Sequence, residues 1–215
     1  MKALTQEQIE MRDRILAAAR RLIAQQGTDG FTMRTLALES NVALKTLYHQ
    51  FTNKETLLRS AVEERFRHDY AQIDAVEFNR GIDRLLYVVK TIHETTVRNE
   101  VYAKALAPML TSASGQRPFS RVRLNTYRRA IDQIAAEGEL VEWVDIDLVT
   151  ALVYRDATGS YLSWFTGTVP LSVVGEVGTL SICLLMASMT TGYSHDRAVE
   201  TATPLATRHR GRTFL

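Results

Sequence analysis

The chain has 215 residues, 46% of them hydrophobic and 23% charged, enough for a small module beside a core-bearing domain of about 150 residues. A formal charge of +2 leaves bulk electrostatics silent about nucleic acid. Its one cysteine, Cys183, excludes an intramolecular disulfide framework and suits a reducing compartment. Charge is unevenly spread, with nine Lys/Arg against six Asp/Glu in residues 1–60, thirteen against sixteen in 61–194, and four against two in 195–215. The opening MKALTQEQIEMRDR is charged where a secretory signal needs an apolar core, so a cytoplasmic protein is expected.

In chain order, the first predicted helix is Gln6 to Gln26, with Ile15, Leu16, Ala19, Leu22 and Ile23 on one stripe and Gly27 as its stop. Phe31 anchors the entry to the next segment, and Thr32 is placed to cap a short helix carrying Leu36 and Ala37. Asn41 stands where the chain must reverse, the best residue after Gly for a left-handed backbone. Val42, Leu47 and Phe51 then share one side of a second short helix whose other side, Lys45, Thr46, Tyr48, His49 and Gln50, is rich in donors and free of acid. Two short helices around one miniature core, with donors outside, suit a DNA groove, which offers phosphates at its rim and base edges within.

The stretch GTDGFTMRTLALESNVALKTLYHQFTNKETLL resembles the N-terminal signature of the TetR family of bacterial transcription regulators. The matching positions are Gly30, Phe31-Thr32, Leu36-Ala37, Val42, Leu47-Tyr48, Phe51 and Lys54-Glu55-Thr56-Leu57-Leu58. Two departures stand out: Asn41 replaces the usual turn Gly, and Ala43 replaces a capping Ser, which costs roughly 1 kcal/mol at the start of the second helix. The resemblance implies an all-α protein, a three-helix DNA-binding domain with helix-turn-helix followed by a helical ligand-binding and dimerisation domain. It further implies that Tyr48 and Lys54 bind phosphate and that Arg34 occupies a position that reads guanine in some members. Thr32 is expected to join the phosphate contacts, and Lys45, Thr46 and His49 to face base edges.

Beyond Phe51, Thr52 or Asn53 is placed to cap a long helix from Lys54 to about Tyr70, a rod suited to carrying a shift from one domain to the other. Further helices are predicted for Phe78 to Asn99, Val101 to Leu110, and Phe119 to about Glu137, the last with an Arg-rich outer face. Thr111 to Pro118 reads as a loop. Asp145 to Phe165 and Leu171 to Thr191 are apolar around more than one face and need cover, which a second copy can supply as a four-helix bundle. In the family that the N-terminus resembles, the last two helices form that homodimer interface. The uncharged run Val177 to Ser194 is long enough for a membrane span, but Ser, Thr and Gly fill nearly half of it.

The expected organisation is therefore a DNA-binding domain over 1–53, an effector-binding and dimerisation domain over 54–194, and a mobile basic tail over 195–215. Effector candidates are Tyr87, His93, Tyr102, Met109, Tyr127 and Trp164, since family members bind small, often apolar molecules between these helices, and each of the six is alternatively a core residue. Tyr154, Arg155 and Asp156 form a polar patch suited either to an interfacial ion pair or to a ligand. No metal spacing, Gly-rich phosphate loop or nucleophile motif is present, so no cofactor and no enzymatic activity are expected. The expected function is a homodimeric repressor on a palindromic operator, released by a small molecule; the alternative is a DNA-binding regulator or architectural protein without an effector.

Overall fold

The structure is a computed structural model that describes residues 5–111 and 116–211, with side chains for all of these except 108–111 and 116–120. Ten helices are described: α1 (Gln6–Gln26), α2 (Met33–Glu39), α3 (Leu44–Gln50), α4 (Lys54–Asp74), α5 (Gly81–Arg98), α6 (Glu100–Thr111), α7 (Gln116–Ala136), α8 (Ile146–Phe165), α9 (Leu171–Met189) and α10 (Gly192–Arg208). Among the described residues the only β-type pairing is an isolated bridge between Leu140 and Thr190. The fold is all-α.

Local chemistry explains most of the boundaries. Thr5 and Gln8 close a capping box at the start of α1, and Gly27, at φ 74°, ends it in a conformation costly for any residue with a Cβ. Asn53 caps α4 by accepting from the Thr56 N–H at 2.8 Å, and Asp145 caps α8 by accepting from the Asp147 and Leu148 N–H groups. The loop expected over Thr111 to Pro118 is shorter than that. Thr111 ends α6, Gln116 to Pro118 already form the first turn of α7, where a proline's missing N–H costs nothing, and 112–115 lie outside the described residues.

The chain divides into two compact units, Met1–Asp69 with Asn99–Phe119, and Tyr70–Arg98 with Ser120–Leu215. The first unit has one core, in which Ile15, Leu16, Leu22, Leu36, Leu47, Phe51, Leu57 and Leu106 are almost wholly buried. The second unit is centred on α9, which packs on α8, α10 and α5. Although α9 is the one described helix long and apolar enough to cross a membrane, three helices of its own unit lie against it.

The expected basic tail from His195 on is overturned, because residues through Arg208 form α10. Its inward face is Ser194, Ala198 and Ala202, small residues that bring the helix close to its neighbour without an apolar stripe. Polar anchors hold both ends. Glu139 accepts from the Ser194 N–H at 2.9 Å and the Tyr193 N–H at 3.2 Å, Arg197 pairs with Asp83 at 3.0 Å, and His209 Nε2 meets Glu176 at 2.7 Å. Burial pushes the Glu139 carboxyl up, but hydrogen bonds from Ser194 and Arg80 outweigh it and hold the group below the ordinary carboxylate value.

Candidate nucleic-acid interface and ligand crevice

In the first unit the turn between α2 and α3 is built as the sequence requires. Thr32 is the N-cap of α2, its hydroxyl accepting from the Thr35 N–H at 3.1 Å. Ser40 closes the helix by donating to the Leu36 carbonyl at 2.7 Å, and Asn41 makes the reversal at φ 53°. The Val42 N–H then reaches back to the Ala37 carbonyl at 3.0 Å, so the angle between the two short helices rests on backbone bonds as well as side chains. Ala43 is the N-cap of α3 and makes no side-chain cap bond.

Leu47 is the buried residue of α3, and Phe51, just past its end, is fixed beneath the Arg12 guanidinium at 4.7 Å from the ring centroid. That packing turns the rest of α3 outward: Lys45, Tyr48 and His49 are exposed, Thr46 is half-buried, and Tyr48 keeps 50% of its surface in solvent. Thr32 and Arg34 at the start of α2 are exposed too. No acidic residue lies in α3, and Glu39 at the end of α2 is neutralised by Arg21 at 3.2 Å. The resulting face is an uninterrupted set of donors with one cation from each helix, which matches phosphate and base-edge acceptors.

Lys54 differs from the other six residues expected to meet DNA. Its ammonium donates to the Phe31 carbonyl at 2.6 Å and lies 4.6 Å from the centroid of the Phe31 ring, so it clamps the start of α4 to the entry of α2. An ammonium has three N–H donors and this clamp takes one for its hydrogen bond, leaving donors for a phosphate.

The effector candidates separate. Tyr102 stands in the first unit, packed against that unit's core, and burial pushes its phenol up to about 12. Met109 is on α6, among the residues whose side chains are outside the described part. The other four are in the second unit. Tyr87 packs on Phe78 with ring centroids 5.1 Å apart, Trp164 on Phe165 at 4.7 Å, and Tyr127 lines a cavity.

That cavity is a narrow crevice between α5, α7, α8 and α9, too tight in this conformation to admit more than a water-sized molecule. Val89, Ile92, Val174 and Ile182 supply its apolar walls, and Tyr127, Ser160 and Tyr161 its polar groups. His93 sits behind Gly175, which lines the crevice; a Cβ at Gly175 would fall 2.3 Å from the imidazole, so only glycine fits there. Burial lowers the His93 pKa, with Glu94 and Glu176 opposing, and its enclosed Nδ1 has no hydrogen-bond partner. The polar patch on α8 points three ways. Tyr154 packs edge-on to Tyr127 at 6.5 Å, Arg155 is exposed, and Asp156 accepts from the Ser181 hydroxyl at 2.7 Å while burial raises its pKa.

Arg123 corrects the expected Arg-rich outer face of α7. It lies within the second unit, with its guanidinium 5.3 Å from the centroid of the Tyr154 ring and one nitrogen donating to the Thr158 hydroxyl at 3.1 Å. The sequence signal was its spacing, four before Tyr127 and eight before Ile131, which puts it on the buried side of the helix. Tyr161, also absent from the candidates, hydrogen-bonds Thr96 and is held protonated by burial.

The pattern described as bacterial regulatory proteins, tetR family, matches residues 15–61. The chain is 32% identical over 189 residues to the HTH-type transcriptional repressor KstR of Mycobacterium tuberculosis, covering 85% of this chain and 83% of that protein. Among solved structures it is similar to RolR in complex with resorcinol, with TM-score 0.69 and 16% identity over 92% of this chain and 95% of that one. It is also similar to the Bacillus subtilis regulator FadR in complex with stearoyl-CoA, with TM-score 0.62 and 19% identity over 79% and 97% of the two chains. At those identities the two structures bear on the fold alone.

Proposed function

This chain belongs to the TetR family of bacterial transcriptional repressors, and from that premise we propose that it binds a palindromic operator as a homodimer and is released by a small molecule held in the second unit. The observation that carries the DNA half is the acid-free donor face of α3 on a head whose core fixes its outward direction. On this reading Thr32, Tyr48 and Lys54 hold phosphates, and Arg34, Lys45, Thr46 and His49 reach base edges. Residues 1–53 are the reading domain, 54–194 hold effector and dimer functions, and α10 completes that second part. A cytoplasmic location follows from the DNA target.

Homodimerisation is supported by one stripe of α8. Leu148, Ala151, Gly159 and Leu162 follow helical spacing and are all exposed, Leu148 at 51% and Leu162 at 44%, with the Arg155 cation at the middle of the row. A Cβ at Gly159 would meet nothing, leaving room for a partner helix to come close. On α9, Leu184 is 58% exposed. Apolar residues so aligned on a helix want a second apolar surface, and an identical one satisfies a two-fold axis. One short helix reads too few base pairs to find a site, whereas two held about 34 Å apart read successive turns of a palindrome.

Release is supported by the crevice. Its lining is mostly apolar with a few hydroxyls, as small-molecule sites are, and it is narrow, so a ligand must spread α5, α7, α8 and α9 to enter. The continuous α4, whose residues up to Asp69 belong to the first unit and whose last turn belongs to the second, carries that movement to the heads. Releasing DNA a hundredfold requires the ligand to prefer the released conformation by about 2.7 kcal/mol.

Selection of bound fragments from random duplexes at fixed salt tests the proposal. It predicts an inverted repeat with half-sites one helical turn apart; recovery of unrelated sequences, or of single half-sites, would contradict it.

A further inference from the structure

Arg123 is a positive charge placed inside the second unit without a negative one to match. Its guanidinium is surrounded by tyrosines, with Tyr70, Tyr127 and Tyr154 as its electrostatic neighbours and Tyr70 and Thr158 as its hydrogen-bond partners. Its Nε is enclosed and makes no hydrogen bond. Among the described residues no Asp or Glu forms an ion pair with it, and the stretches without described side chains, 1–4, 108–120 and 212–215, contain neither residue type. Other arginines that are partly covered do face carboxylates, Arg20 with Glu64, Arg65 with Asp69, Arg80 with Glu139 and Arg197 with Asp83. An enclosed guanidinium without an anion is destabilising, because neutral phenols replace only part of the hydration it has lost.

The same residue stands beside the crevice. Tyr127 and Tyr161 line that crevice, and both interact electrostatically with Arg123. Burial keeps both phenols protonated, and the Tyr161 hydroxyl donates to Thr96, whose own proton goes to the Ile92 carbonyl. The opposite character prevails along Val89, Ile92, Val174 and Ile182, where nothing polar is offered. The crevice thus combines an apolar lining with phenols that adjoin the enclosed cation.

We propose that Arg123 is the anion receptor of the effector site and selects an apolar molecule bearing one carboxylate. This rests on the crevice being the effector site. A planar guanidinium takes a carboxylate through two parallel N–H···O bonds, and the free Nε supplies one of that pair. Binding then neutralises a charge the empty protein leaves uncompensated. A cationic ligand of the same shape meets repulsion, and a neutral one leaves the guanidinium as it was.

The test is calorimetric titration of the full-length protein, without DNA, with decanoate, decanol and decylammonium below their aggregation concentrations. The expected order is decanoate tighter than decanol by about tenfold or more, with decylammonium unbound. In Arg123→Gln the advantage of decanoate over decanol disappears while decanol binding stays within about twofold. Arg123→Met serves if the first variant does not fold, and the wild-type ranking is read without any variant. Absence of a preference for decanoate, including no binding of all three, overturns the proposal, as does a preference that survives in the variants. A gel-shift arm separates this from ligand gating: decanoate that binds through Arg123 yet leaves the protein on its duplex sinks the gating and not the receptor.

Discussion

Around α3 in the first unit the apolar side chains are inside and the polar ones face out. Leu36, Leu47 and Phe51 are buried, while Lys45, Tyr48 and His49 are presented on a helix with no acid. The second unit reverses both signs, enclosing Arg123 among tyrosines and Asp156 beside Ser181 while leaving Leu148, Leu162 and Leu184 exposed. A polar surface on a sound core is complete and waits for a polar partner. An enclosed cation without an anion and an exposed apolar stripe are each incomplete, and the proposed partners, an anionic ligand for one and another copy for the other, are what would complete them.

The contrast is broken hardest by placing a charge on the apolar stripe. Leu162→Arg is expected to yield a monomer in sedimentation and to lower operator affinity by at least about 100-fold, since one head alone retains little specificity. An unchanged dimer would move the interface elsewhere. Next, Leu47→Ala empties a fully buried site in the head core and should cost about 3 kcal/mol of its stability in denaturant titration.

Acid should act on α10. The Glu139 pKa is lowered in the folded protein, so its contribution is present above the ordinary carboxylate value near 4.5 and is lost as pH falls through the lower folded value. Glu139→Gln should therefore lower stability by about 1 to 3 kcal/mol at neutral pH, the scale of hydrogen bonds to a charged group, and match the wild type below the folded pKa. Thermal melts across pH read this directly; parallel curves at every pH would assign the anchor to packing.

Finer still is the distinction within the head between clamp and contact. Lys54→Ala should lower the melting temperature through loss of the Phe31 clamp and also reduce the salt slope of DNA binding by about 0.9. A stability loss with the slope intact leaves Lys54 as the clamp alone. The smallest effect expected is a gain: Ala43→Ser supplies the missing cap of α3 and should stabilise the head by about 0.5 to 1 kcal/mol in thermal melts.

What the sequence made legible was local. Thr32, Asn41, Ala43 and Asn53 act within three or four residues of themselves, so cap, reversal and helix start followed from residue type and spacing. The exposed side of α3 was legible for the same reason, once Leu47 and Phe51 marked the inner side. What stayed hidden depends on distant partners. α10 shows no apolar period because it docks through Ser194, Ala198 and Ala202, and its anchors Asp83, Glu139 and Glu176 lie far off in the chain. Arg123 was hidden by its own character, since a charge on an amphipathic helix is ordinarily assigned outside, and only its register with Tyr127 and Ile131 argues otherwise.

The most direct test of paired heads at a fixed separation is the affinity for the selected inverted repeat before and after five base pairs are inserted between its half-sites. Half a turn of added duplex carries one half-site to the opposite face, and binding should fall to the level of a single half-site. Equal affinity for the two duplexes would contradict the account.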